Sequence, residues 1–68
     1  MIEYSNESAV KTARAHGHIA FVADGCVQIE CQTYTGSSWE TYYLEVRNWD
    51  DLRSALGYGR GDGMTIVI

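Results

Sequence analysis

Hydrophobic and polar positions alternate with period two through residues 18–47, and two breaks divide that stretch into three strands. Asp24-Gly25 lies between two alternating runs and calls for a type I′ turn, which needs positive φ at both central residues. A two-residue loop there pairs Ala23 with Cys26, Val22 with Val27, Ala20 with Ile29 and His18 with Cys31. Thr35-Gly36-Ser37-Ser38 is a second, turn-rich break. Taken as the loop, it opposes Tyr34 to Trp39, Cys31 to Tyr42, Ile29 to Leu44 and Val27 to Val46. Both hairpins independently place Val27, Ile29 and Cys31 on one face with Ala20, Val22, Tyr42, Leu44 and Val46. A one-residue slip would scatter that set over both faces.

The opposite face carries Ile19, Phe21, Gln28, Glu30, Gln32, Tyr34, Trp39, Thr41, Tyr43, Glu45 and Arg47. Antiparallel sheets commonly keep one face wet, and the polar members fit that rule. The aromatic and aliphatic members do not, and contiguous apolar surface on a small domain often marks an interaction site. The plain alternative is that aromatic residues favour strands and pair across them.

A helix is expected on each side of the meander. The first runs from Ser5 or Asn6 to His16, with a polar N-cap, Glu7 in its first turn and Gly17 just past its end. Ala9, Val10 and Ala13 form its apolar stripe. The second runs from Trp49 to Leu56, capped by Asn48 and stopped by Gly57, with Asp50 and Asp51 suited to its N-terminal dipole. Trp49, Leu52, Ala55 and Leu56 form its stripe. Residues 57–63 read as a mobile glycine-rich loop, and Met64–Ile68 as an apolar strand in a central position or buried against another subunit. Residues 1–4 offer a further edge strand. The expected fold is a single two-layer α+β domain spanning residues 1–68, with a mainly antiparallel sheet of four or five strands and both helices on one face.

Composition changes this picture little. A chain of 68 residues buries only about 60% of its unfolded surface, so its core supplies about 3–5 kcal/mol. A hydrophobic fraction of 46% separates it from disordered chains. No run of 18 apolar residues and no signal peptide is evident, so a cytoplasmic protein without membrane contact is expected.

Candidate chemistry is sparse. Cys26 and Cys31 lie on one strand about 16 Å apart, beyond disulfide reach, and no CxxC pair supports zinc. Cys31 reads as core, and Cys26, beside a turn, as exposed. His16 and His18 alone make a weak metal site whose third ligand would have to come from Glu45 or Asp24, and His18 opposite Cys31 reads as core packing, not as a catalytic pair. The glycine-rich loop follows a helix and precedes a strand, the reverse of a phosphate-binding loop. Arg60-Gly61-Asp62 and the sequon Asn6-Glu7-Ser8 have function only in secreted proteins. The reading is therefore of a non-enzymatic chain without cofactor, metal or catalytic residue.

Nine acidic against five basic residues give a net charge of −4, which repels nucleic acid. Acids interleaved with aromatics suit a basic protein groove that normally holds nucleic acid. An ordinary solvated acidic surface is the competing reading.

In size, in charge, in the passage from strand to helix over Tyr42-Tyr43-Leu44-Glu45-Val46-Arg47-Asn48-Trp49-Asp50-Asp51-Leu52 and in its aromatic–acidic face, the chain resembles the small phage-encoded type I anti-CRISPR proteins. The resemblance is one of general character and carries no shared motif. It implies an inhibitor in the host cytoplasm that binds a protein subunit of a CRISPR surveillance complex and blocks DNA recognition or nuclease recruitment. On this reading the working residues are Phe21, Glu30, Tyr43 and Glu45 on the sheet, with Asp50 and Asp51 at the helix edge. The alternative is a self-associating module, a homodimer through residues 64–68 or through the exposed sheet face.

Overall fold

The local signals that start and stop each element act in the computed structural model, which describes residues 2–59 and 63–68. Helix α1 (Asn6–Ala15) begins where the Ser5 hydroxyl accepts the Ser8 N–H at 3.1 Å. It ends at Gly17, whose φ of 85° lets the Gly17 and His18 N–H groups turn back to the Arg14 and Ala13 carbonyls. Helix α2 (Trp49–Leu56) repeats the device, with Asn48 Oδ1 accepting the Asp51 N–H at 2.8 Å and Gly57 as its left-handed stop.

Between them lie β1 (Ala20–Ala23), β2 (Cys26–Tyr34) and β3 (Trp39–Val46), an antiparallel sheet in the order β1-β2-β3. Asp24 and Gly25 both take positive φ, 53° and 79°, as a type I′ turn demands. The ladder pairs Ala20 with Ile29, Val22 with Val27, Val27 with Val46, Ile29 with Leu44 and Tyr34 with Trp39. The register predicted from turn chemistry is the register observed.

The sheet nevertheless has three strands among the described residues, where four or five were expected. Residues 2–4 pair with no strand; the Trp49 indole N–H holds the Ile2 carbonyl at 2.8 Å instead. Residues 64–68 likewise form no strand. Their backbone is held by a helix side chain: Thr12 Oγ1 accepts the Val67 N–H at 2.9 Å. Met64 is buried and Ile66 packs on the core, so the apolar character of this segment serves helix packing. Arg60-Gly61-Asp62 lies outside the described residues.

Both helices cover one face. Ala9, Val10 and Ala13 of α1 and Trp49 and Leu52 of α2 meet Ala20, Val27, Ile29 and Val46 of the sheet, and Met64 completes the core. The cover is short. Helices of 10 and 8 residues span about 15 and 12 Å, whereas the 9 residues of β2 span about 30 Å. Tyr42, placed in the core by alternation, is therefore exposed and Cys31 only half-buried, while Val22 and Leu44 are exposed because they lie on the outer strands, beside fully buried Val27 and Ile29 of β2. Beyond β1 the β2–β3 hairpin continues as a two-stranded arm, in a molecule measuring 43 × 28 × 17 Å.

Two expectations about thiols and histidines change. Cys26 is buried at the sheet's end, not exposed. His18 does not enter the ladder, which begins at Ala20; its N–H donates to the Ala13 carbonyl at the end of α1.

Candidate protein-binding face

Strand alternation brings Phe21, Gln28 and Glu45 into one cross-strand row and Glu30 and Tyr43 into the next, on the face turned away from both helices. Phe21 and Tyr43 meet edge-to-face over β2 with ring centroids 5.8 Å apart, although they remain 37% and 52% exposed. The Tyr43 hydroxyl donates to Glu30 Oε1 at 3.4 Å, which orients the carboxylate outward beside the ring pair. Glu45 pairs with Arg47 at 2.6 Å with both side chains more than half exposed, so the pair fixes geometry more than it adds stability. At the tip of the arm Tyr34 and Trp39 form a second edge-to-face pair at 5.3 Å, exposed by 56% and 67%.

Four of the six residues expected to bind a partner thus share one surface: Phe21, Glu30, Tyr43 and Glu45. Asp50 and Asp51 do not join them, because α2 sits against the other side of the sheet. Asp51 is half-buried and occupied in capping, accepting the Arg47 N–H at 3.2 Å. Asp50 faces Arg53 at 3.4 Å.

The residues that sequence reasoning missed are Tyr42, on the arm, and Leu44, beside it on the outer strand β3, which extend the exposed apolar surface onto the second face of the sheet. For Tyr42 the signal was available: strands of nine and eight residues outrun helices of ten and eight once the rise per residue is counted.

His16 Nδ1 lies 2.7 Å from the Thr12 carbonyl, and its ring meets Tyr58 edge-on. Among the described residues no group of three or more His, Cys, Asp or Glu side chains could hold a metal ion, and no helix is long and apolar enough to cross a membrane. The groove between the N-terminal segment and α2 is lined by Ile2, Tyr4, Trp49, Asp50, Arg53 and Ile66. Tyr4 packs edge-on against Trp49 at 5.1 Å and donates its hydroxyl to the Val46 carbonyl at 3.2 Å. Burial raises its phenol pKa above the usual value, with a further push from the Asp51 carboxylate and the Cys26 thiol.

What the arrangement offers is two exposed edge-to-face ring pairs with the Glu30 and Glu45 carboxylates beside one of them. No protein-family profile matches the chain, and no curated protein or solved structure matches it significantly.

Proposed function

We propose that the chain is a non-enzymatic protein-binding inhibitor that docks its open sheet face on a basic surface of a nucleic-acid-binding complex. The observation that carries this reading is the exposed Phe21–Tyr43 pair with Glu30 beside it and no helix above it. Aromatic rings dominate the energetic centres of protein interfaces, and carboxylates around them steer a basic partner. The net charge of −4 turns the same surface against nucleic acid itself. The resemblance to type I anti-CRISPR proteins names the partner to test first, a subunit of a CRISPR surveillance complex in the host cytoplasm.

Surface plasmon resonance against a purified type I complex is the direct test. Glu30→Lys with Glu45→Lys is expected to slow association about tenfold and to flatten its dependence on salt. Phe21→Ser with Tyr43→Ser is expected to abolish binding while the circular dichroism spectrum is kept. Equal binding by the charge-reversed and parent chains rules out the electrostatic account. A parent chain that captures only itself, shown as a dimer by light scattering, favours the self-associating module through the same face.

A further inference from the structure

β3 is an outer strand of the sheet, and every residue from Trp39 to Glu45 is exposed. Two backbone bonds fix which of its polar groups point outward. The Glu30 N–H donates to the Ile19 carbonyl at 2.9 Å, so Glu30 turns its backbone to β1, and Ile29 and Cys31 turn theirs to β3. The Thr35 N–H donates to the Ser38 carbonyl at 3.0 Å and sets the same alternation from the turn. Tyr42 and Leu44, opposite Cys31 and Ile29, therefore face β2, and the N–H and C=O groups of Thr41, Tyr43 and Glu45 face away from the sheet. Among the described residues no hydrogen bond reaches those outward groups.

This edge lacks the devices that keep a strand solitary. β3 is eight residues long, pairs with β2 from Trp39 to Val46 without a bulge, and contains neither proline nor lysine. Its cover is also uneven. The Asn6 amide bonds the Gly25 carbonyl and the Arg14 guanidinium the Ala20 carbonyl, so α1 follows β1, while α2 packs on the β3 side just after Val46. Val46 is fully buried, whereas Tyr42 toward the other end is bare. A strand with one covered half and one bare half is completed by a copy of itself running the opposite way.

We propose that two copies of the chain pair antiparallel through β3, about a two-fold axis at Tyr43, into one continuous six-stranded sheet. Tyr43 then opposes Tyr43 of the second copy and Thr41 opposes Glu45, each pair exchanging two backbone hydrogen bonds. On the helix side Tyr42 meets Leu44 of the second copy, once on each side of the axis, so the two apolar residues left exposed there cover each other. The second copy's α2, about 10 Å across and displaced by one strand spacing of about 4.8 Å, overhangs the bare half. Neither carboxylate of β3 opposes an acid, since Glu45 faces Thr41 and Glu40 faces Val46. Sliding the pair by two residues one way sets Glu45 against the Trp39 ring and Glu40 against Leu44; sliding it the other way leaves Trp39 unpaired. An unrelated extended segment could satisfy the backbone but brings no helix to cover Tyr42, which is why the occupant is a second copy. The inference does not rest on the inhibitor reading: pairing uses the strand edge, and Phe21 and Glu30 stay open on both copies.

Sedimentation equilibrium at high micromolar concentration is expected to give the parent twice its mass of 7.6 kDa. Thr41→Pro removes an outward N–H at an edge position that tolerates proline, and is expected to raise the dimer dissociation constant about tenfold or more with the circular dichroism spectrum kept. Phe21→Ser is expected to leave the dimer unchanged. In a mixture of isotope-labelled and unlabelled parent, isotope-filtered NOEs are expected between the Tyr42 ring of one copy and the Leu44 methyls of the other. If Thr41→Pro unfolds, those contacts still decide, because they are read on the parent. A monomeric parent overturns the proposal. So does a dimer that Phe21→Ser dissolves and folded Thr41→Pro leaves intact, or one whose filtered contacts join the Phe21 rings or residues 64–68 of the two copies.

Discussion

Replacing Thr12 by valine removes one hydroxyl from the middle of α1 and, on the structure, the latch of residues 64–68. Thr12 is fully buried, and its Oγ1 accepts the Val67 N–H at 2.9 Å, a good bond; its return donation to the Val67 carbonyl is 3.5 Å long and counts for little. Valine keeps the shape and nearly the same helix propensity, so cavity and backbone contributions almost vanish. What remains is one hydrogen bond, worth about 1 kcal/mol, with a half-buried Val67 N–H that water reaches in part. For a domain of this size that lowers Tm by about 4–8 °C. The local effect is larger than the global one, because Met64 and Ile66 are held down by the same latch. Amide hydrogen exchange at Val67 and Ile66 should accelerate well beyond the rate for Ile29, and Thr12→Ser, which keeps the hydroxyl, should restore protection at Val67. Unchanged protection at Val67 in Thr12→Val, with Tm unmoved, refutes the latch and with it the account of why this apolar segment forms no strand.

Other outcomes follow from the same geometry. Ile29→Ala empties the fully buried centre of the sheet and should cost about 2–5 kcal/mol, enough to unfold most of the chain in a urea titration, whereas Trp39→Ser at the arm's exposed tip should cost under about 1 kcal/mol. Tyr4 has its pKa raised by burial, so the fold prefers the neutral phenol: its stabilisation is present below the unfolded value near 10 and is lost as pH rises through the folded value. Tyr4→Phe should therefore lie below the parent in urea midpoint at pH 8 and overtake it in stronger alkali; a constant gap contradicts this. Ellman's reagent should modify half-buried Cys31 before buried Cys26. Asn48→Ala should lower stability by about 1 kcal/mol through the lost cap on Asp51, measured by the same urea titration.

Local chemistry determined a large part of this protein. Asp24-Gly25 set the first hairpin, Thr35–Ser38 the second, and the two together fixed every cross-strand pair, because a two-residue I′ turn admits one register. Ser5 and Asn48 opened the helices and Gly17 and Gly57 closed them for equally local reasons. The association of Phe21, Glu30, Tyr43 and Glu45 on one face followed from alternation alone.

Which face the helices would cover, and how much of it, did not follow. Alternation assigns a side chain to a face but says nothing of what stands above it, so Ile29 and Tyr42 read alike, although one is fully buried and the other 44% exposed. The fate of residues 64–68 was hidden for a related reason. An apolar run reports that a segment is covered, not by what, and its backbone partner is a threonine 55 residues away. Likewise, Asp51 looked like surface charge until the chain's approach to α2 brought the Arg47 N–H within 3.2 Å of it. Turns, caps and register are written in neighbouring residues; cover and latch depend on distances between elements, and only the assembled fold supplies those.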